Sequence, residues 1–260
     1  MSESLFTGER LPGGGDEEFS VDMERHLAAY RWAAEQVRDR RVLDAGCGEG
    51  YGTALLAEGT REIVGMDRRE AVEVARARHQ RAGLEYRIGD LTRLAELSER
   101  FDAVLSFQVI EHLEDPLEFL RGLASVTAPG GTILVTTPNR LMSVSENPYH
   151  LREWTAPELL ELARPALPSA RMLGIHGSER VRAYEQARGE QVARILRLDP
   201  LGIRHLLPTA IVHGVFPRLA RLVRRRIASS GSMPTADPAD FSVSDQDLEH
   251  ALDLALIATV

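Results

Sequence analysis

From residue 42 to residue 139, short apolar runs alternate with stretches of helical periodicity, and this rhythm restricts the fold more than any other feature of the chain. VLDAG (42–46), EIVGMD (62–67), LEYRIGD (84–90), FDAVLSFQ (101–108) and TILVTTPN (132–139) have the length and composition of strands. TALLAEG (53–59), residues 69–82 and PLEFLRGLASVT (116–127) between them read as helices. Strands and helices in this order build βαβ units, and such units make a parallel sheet covered on both faces.

The flanks extend the pattern and then break it. Residues 20–40 suit a helix, capped by Ser20 or Asp22, with an apolar stripe through Leu27, Tyr30, Ala34 and Val37. TAPELLELARPAL (155–167) is a further helix with a capping box from Thr155 to Glu158, and ARMLGIHG (170–177) is a sixth strand. Residues 178–236 are rich in arginine, carry Pro200, Pro208 and Pro217, and read as short helices forming an insertion or cap. FSVS (241–244) is expected as the last short strand, with a helix from Asp245 to the C-terminus. The chain thus divides into an arm and helix (1–40), a core (41–177), a helical insertion or cap (178–240) and a closing strand and helix (241–260).

Charge and composition exclude several functions. With 260 residues and a formal net charge of −8, the chain has one sizeable core and no field that attracts nucleic acid. The single cysteine, Cys47, forbids an internal disulfide and a cysteine-rich metal site, and no metal is expected. No basic-then-apolar leader opens the sequence and no apolar run is long enough to span a bilayer, so a cytoplasmic protein is expected. All 31 basic residues are arginine, which closes every mechanism that needs a lysine.

VLDAGCGEGYG places Gly46, Gly48 and Gly50 at the end of the first strand. Glycines there serve unusual backbone angles or the close approach of a ligand. A phosphate-binding P-loop needs four residues between its glycines and then a lysine, so that ligand is ruled out. A dinucleotide fingerprint wants its third glycine where this chain has Tyr51, which weakens the nicotinamide and flavin readings without closing them.

The pattern Asp44-x-Gly46-x-Gly48-x-Gly50 resembles motif I of the class I S-adenosylmethionine-dependent methyltransferases. Asp67 ends the second strand, where an acid can accept hydrogen bonds from ribose hydroxyls. Asp90, in Gly89-Asp90-Leu91, matches the acid that in this family meets the adenine amine, and Asp102 and Pro129-Gly130-Gly131 fit later landmarks. The resemblance implies an α/β, Rossmann-like sheet of seven mostly parallel strands with helices on both faces. It implies S-adenosyl-L-methionine as cofactor, with S-adenosyl-L-homocysteine as product. The cofactor-binding set it implies is Asp44, Gly46, Cys47, Gly48, Gly50, Asp67, Arg68, Asp90, Leu91 and Phe107.

In an open parallel sheet the reacting groups collect beyond the carboxyl ends of the strands. The loops there carry Glu111-His112-Leu113 and Asn147-Pro148-Tyr149-His150-x-x-Glu153-Trp154. An alcohol acceptor must lose a proton, and a histidine suits that task. His112 and His150 are the candidate bases, with Glu111 and Glu153 placed to orient them; each histidine could equally be a loop anchor. Both loops look like those of bacterial ubiquinone-biosynthesis-type methyltransferases and relatives acting on sugars or secondary metabolites. That resemblance implies O-methylation of a small molecule or glycan; N- or C-methylation on the same fold and a dinucleotide-dependent oxidoreductase are the alternatives. A non-catalytic partner subunit that has kept the fold is a third alternative; its mark would be a broken motif I or a lost ribose acid, neither of which is seen, but an intact cofactor site is compatible with lost activity. The arm residue Arg10, with His26, Tyr30 and Arg31, could face the cofactor. The basic run 216–227 has an amphipathic pattern that fits a membrane-surface helix. A cap helix packed on the sheet gives the same pattern and is the preferred reading.

Overall fold

In the computed structural model, which describes residues 20–143, 149–196 and 235–260, an eight-stranded sheet runs through the molecule. The strands are β1 (Arg41–Ala45), β2 (Glu62–Asp67), β3 (Leu84–Ile88), β4 (Phe101–Phe107), β5 (Thr127–Pro138), β6 (Arg171–Gly177), β7 (Phe241–Ser244) and β8 (Asp253–Thr259). Their order is β3-β2-β1-β4-β5-β8-β6-β7. The first five pair in parallel, while β8 runs antiparallel to both β5 and β6. The helices are α1 (Ser20–Gln36), α2 (Tyr51–Leu56), α3 (Arg69–Arg78), α4 (Pro116–Val126), α5 (Ala156–Ala163) and α6 (Glu179–Leu196).

Alternation along the strands divides the core in two. Leu43, Val104, Ile133, Val135 and Leu254 meet Phe119, Leu120 and Leu123 of α4 and Leu159 of α5. Val42, Ala103, Leu105, Leu134 and Ala255 meet Ala29, Tyr30 and Ala33 of α1. Neighbouring residues of one strand thus enter opposite layers, as a sheet covered on both faces requires. Local signals agree: Asp115 accepts from the Glu118 N–H at 2.9 Å to start α4, and Thr155 with Glu158 forms the expected capping box.

Three expectations are corrected. The sheet has eight strands, not seven, because the C-terminal segment adds β8; FSVS is the short strand expected and forms an antiparallel edge beside β6. The expected C-terminal helix is β8, which inserts between β5 and β6. Residues 251–258, ALDLALIA, are almost continuously apolar and all buried; a strand buried on both faces and a buried helix look alike by periodicity. The expected short helices after residue 178 begin instead as one 18-residue helix, α6. The N-terminal arm with Arg10, the remainder of the insertion and the basic run 216–227 lie outside the described residues. Among the described residues no helix is long and apolar enough to cross a membrane.

A buried charge network joins α1, α6 and β8. Arg188 reaches Asp22 at 3.1 Å and Glu185 at 3.2 Å, and Arg25 lies 3.4 Å from Asp253 and 3.7 Å from Asp22. Because β8 is antiparallel, Asp253 pairs with Pro138 and stands at the carboxyl end of the parallel strands. Burial pushes the Asp253 carboxyl up, opposed by the charge of Arg25. Buried ions of this kind are costly to break singly, so the network fixes the position of α6 over this edge.

Next to it, His26 is half-buried against Tyr30 and Tyr51, with ring centroids 5.4 and 5.6 Å away, and its Nδ1 is hydrogen-bonded to the Tyr51 hydroxyl. Burial, and then the charge of Arg25, lowers its pKa to about 4. The folded protein therefore binds fewer protons here than the unfolded chain between about pH 6.5 and 4, and stability falls as pH drops through that window. The total effect is on the order of 3 kcal/mol. His26→Gln is expected to flatten this part of the acid limb, read from urea midpoints at pH 7, 5.5 and 4.5; parallel limbs in both proteins would contradict the assignment.

Candidate active site

The three glycines of the β1–α2 turn all have positive φ, at 100°, 54° and 83°. They serve different ends. A Cβ on Gly46 would stand 2.3 Å from Val109 Cγ2, and one on Gly50 would stand 2.5 Å from the Tyr86 hydroxyl. A Cβ on Gly48 would meet no atom within 4 Å. The outer glycines thus let the turn pack on its own protein, while the middle one presents bare backbone to open space.

Residues that follow β2, β3 and β4 lie at this same end of the parallel sheet. Asp67 at the tip of β2 accepts from the Gly48 N–H at 2.8 Å through one carboxylate oxygen and from the Arg68 N–H at 2.7 Å through the other. Each oxygen has a second acceptor site, so ribose hydroxyls can still donate to it. Leu91 borders Gly46, its Cδ1 3.6 Å from a Cβ built there, beside Val109 from the loop after β4. Asp90, just beyond β3, is exposed; it caps the turn Leu91–Glu96 by accepting from the Thr92 N–H and hydroxyl at 3.0 and 2.7 Å. The Thr92 hydroxyl bond, with the backbone bond second, holds its carboxyl below the usual range, so it stays an acceptor.

A nucleoside with an amino-acid end fits these residues: open backbone at Gly48, an acid at the second strand tip and an acid with an apolar neighbour at the third. Asp67→Ala should weaken S-adenosylhomocysteine binding by about 1 to 3 kcal/mol, the worth of a lost charged hydrogen-bond partner. A calorimetric dissociation constant unchanged by that substitution would remove Asp67 from the ribose role.

The other expected cofactor residues stand further back. Asp44 is fully buried under the turn, accepting from Thr53 Oγ1 at 2.6 Å and from the Tyr30 hydroxyl at 3.2 Å. Burial raises its pKa to about 7, against the pull of those two bonds. Tyr30, expected to face the cofactor, lies in the core as a donor to Asp44, and Arg31 pairs with Glu24 at 2.6 Å. Cys47 is buried in a cluster with Val72, Ala75 and Tyr86. Arg68 is exposed at the start of α3. The Phe107 side chain lies in the core, packed edge-to-face on Tyr30 with centroids 4.9 Å apart. Its parity along β4 explains this, because Ala103, Leu105 and Phe107 all point into the α1 layer.

Beyond Val109 the chain makes one tight turn, Ile110–His112, and here the expected catalytic residues meet. Gln108 just before it adopts a left-handed φ of 57°, a strained conformation for a residue with a Cβ, and so redirects the chain at the strand end. The loop after β5 is pinned at both ends. Asn139 is fully buried and donates to the carbonyls of Leu248, Glu249 and Ala251 at 3.0, 3.2 and 2.8 Å, and it bridges to Trp154. Between these anchors the Leu151 N–H donates to the Glu111 carbonyl at 2.8 Å, drawing Tyr149 and His150 onto the turn.

Glu111 is wholly buried, and its Oε2 accepts from Thr137 Oγ1 at 2.9 Å. Its Oε1 lies 3.9 Å from His112 Nε2. Burial pushes the Glu111 carboxyl up, against the charges of His112 and His150. His112 Nδ1 is 2.9 Å from the Tyr149 carbonyl, and His150 Nδ1 is 2.6 Å from Glu153 Oε1. The two rings are 4.9 Å apart, edge to face. Thr137 and the Tyr149 carbonyl are partners that no sequence pattern singles out.

This arrangement can be set beside known proteins. Residues 43–135 match the family described as "Methyltransferase domain". A probable S-adenosylmethionine-dependent methyltransferase of Mycobacterium tuberculosis is 33% identical over 263 aligned positions, covering 97% of this chain and 88% of that protein. One of the same description from Mycolicibacterium smegmatis is 42% identical over 167, but the match spans only 62% of this chain and 63% of that protein's length. A ubiquinone biosynthesis O-methyltransferase of Ruegeria pomeroyi is 42% identical over 103, covering 38% of this chain and 42% of that one. Among solved structures, an S-adenosylmethionine-dependent methyltransferase of Thermotoga maritima superposes with a TM-score of 0.57 at 15% identity, covering 97% of both chains, which speaks for the fold alone. The glycine turn, the strand-tip acid beside it and relatedness along nearly the whole chain lead to one conclusion: the protein belongs to the S-adenosylmethionine-dependent methyltransferases, enzymes that pass the methyl group of that cofactor to an acceptor.

Proposed function

We propose that the acceptor atom is a hydroxyl oxygen of a small molecule or glycan, deprotonated by His112. One observation carries this reading: His112 Nδ1 faces a backbone carbonyl, which can only accept a hydrogen bond. The neutral ring therefore carries its proton on Nδ1 and its lone pair on Nε2, on the edge that faces Glu111. A hydroxyl nucleophile needs such a base, whereas an amine already has a lone pair to offer.

When bound, S-adenosylmethionine supplies a methyl group on a sulfonium, passed to the acceptor oxygen as the carbon–sulfur bond breaks and its electrons stay on sulfur. The chain's own tasks are alignment and proton transfer. The Gly48 backbone and Asp67 hold the nucleoside in line, and the turn after Val109 brings the acceptor loop to the same end of the sheet. His112 takes the hydroxyl proton on Nε2, and Glu111, 3.9 Å away, favours the imidazolium that results. The partial similarity to ubiquinone biosynthesis O-methyltransferases adds support for oxygen as the target. The test is a screen of hydroxylated and amino acceptors with methyl-labelled cofactor, with the product read by carbon NMR. Label on an O–CH3 group supports the reading, and label on nitrogen or carbon overturns it.

A further inference from the structure

Among the described residues, Asp44 is a buried carboxylate without a counter-ion. Its hydrogen bonds come from two hydroxyls, Thr53 Oγ1 at 2.6 Å and Tyr30 at 3.2 Å. Acids are rarely buried so fully unless a cation matches them. The titratable groups that face it are the phenols of Tyr30 on α1, Tyr51 on α2 and Tyr86 on β3, the Cys47 thiol of the turn and the Asp67 carboxylate at the tip of β2. Burial pushes the phenols and the thiol up, so none of them is charged at neutral pH. His26, which bonds Tyr51 from α1, titrates at about 4 and is neutral as well. Asp67 only adds a second negative charge.

The fold makes room for this arrangement. A Cβ on Gly52, early in α2, would stand 2.2 Å from the Tyr30 ring, so a glycine there lets α1 bring the phenol down to Asp44. The ring is also packed on Phe107, with centroids 4.9 Å apart, so its place does not depend on the hydroxyl. Asp44 itself lies in β1, two residues before the first glycine of the cofactor turn. We propose that the Asp44 carboxylate, set in place by Tyr30, answers the positive charge of the bound cofactor, so that the chain favours S-adenosylmethionine over S-adenosylhomocysteine. The methyl donor carries a sulfonium and an ammonium against one carboxylate, whereas the product has lost the sulfonium charge. An unmatched anion beneath the turn attracts the first more than the second, which favours product release. Tyr30 acts through Asp44 and is a positioning residue.

The preference does not depend on which acceptor atom takes the methyl group. It has a consequence in pH. Burial leaves Asp44 with a pKa of about 7, so the free protein holds it partly protonated at neutral pH. A cation bound over the turn favours the ionised form, and the carboxyl then gives its proton to solvent. Affinity for S-adenosylmethionine is therefore full above about pH 7 and falls as the pH drops below it. Binding of the uncharged product leaves that proton in place.

The test is calorimetric titration of the full chain with each of the two ligands near pH 8 and near pH 6, in buffers of different ionisation enthalpy so that released protons are counted. The ratio of the two affinities should fall roughly five- to tenfold towards the lower pH, the effect of one carboxyl that gives up its proton on binding. More protons should leave with S-adenosylmethionine than with S-adenosylhomocysteine. Asp44→Asn should remove most of that fall, and the small slope it keeps belongs to the ligands' own groups. Tyr30→Phe keeps the packed ring and takes one donor from the carboxylate, so it should move the pH midpoint of the ratio upward. A merely structural role for Tyr30 would weaken both ligands alike and leave the midpoint where it was. Thermal unfolding shows whether each variant is folded, and Tyr30→Phe decides the matter if Asp44→Asn is not. Parallel pH profiles for the two ligands in the parent, or an unmoved midpoint in Tyr30→Phe, would overturn the proposal.

Discussion

Gly48→Val is expected to bind S-adenosylhomocysteine about 100-fold more weakly while remaining folded. The φ of 54° at this position costs a β-branched residue on the order of 1 to 3 kcal/mol. In a chain of this size that lowers the thermal midpoint by roughly 2 to 10 °C. No clash adds to it, because a Cβ there meets nothing within 4 Å. The valine methyls instead fill the open space over the Gly48 backbone where the cofactor is proposed to lie, and about 3 kcal/mol of lost binding corresponds to the hundredfold. Gly46→Ala and Gly50→Ala should behave in the opposite way. Their Cβ atoms would press on Val109 at 2.3 Å and on Tyr86 at 2.5 Å, so stability falls first. Calorimetry with S-adenosylhomocysteine beside thermal unfolding separates the two patterns. A valine variant that binds as tightly as the parent would remove Gly48 from the cofactor cradle.

The contrast among these glycines marks what a sequence can convey. Their spacing is legible and identifies the turn, but nothing in GCGEG says that only Gly48 of the three stands over open space. That depends on Val109 and Tyr86, which arrive from distant strands. The parallel half of the sheet was legible for a similar local reason: each strand is bounded by its own helix signals and turn. β8 was not, since an unbroken apolar run carries no period to read. The place of the Phe107 side chain in the α1 layer was not legible, because a strand-end position says nothing of which layer it enters until the register is known. The buried network of Asp22, Arg25, Glu185, Arg188 and Asp253 left no trace at all, because each member looks like an ordinary surface charge until α1, α6 and β8 are brought together. The His112–Glu111–His150 cluster falls between these cases. Its members were visible as candidates, but Thr137 and the Tyr149 carbonyl, which set their roles, belong to backbone geometry.

His112→Ala is expected to lower turnover by about 10²- to 10⁴-fold, the usual worth of a general base, with S-adenosylhomocysteine affinity unchanged. That loss alone does not prove a proton-transfer role, because the ring also holds the Tyr149 carbonyl at 2.9 Å and so helps to fix the acceptor loop. His112→Asn separates the two functions. Its side-chain amide can donate to the same carbonyl from near the Nδ1 position, yet it places no basic nitrogen where Nε2 stood. If His112 activates the acceptor, the asparagine variant should be as slow as the alanine variant, and both should gain speed with rising pH as the acceptor hydroxyl ionises without help. If His112 only anchors the loop, asparagine should restore most of the parent rate and its pH profile. The anchoring role rests on a neutral hydrogen bond worth about 1 kcal/mol, whereas loss of the base removes several kcal/mol from the barrier. The two outcomes therefore differ by more than tenfold in rate, and a single pair of variants decides between them.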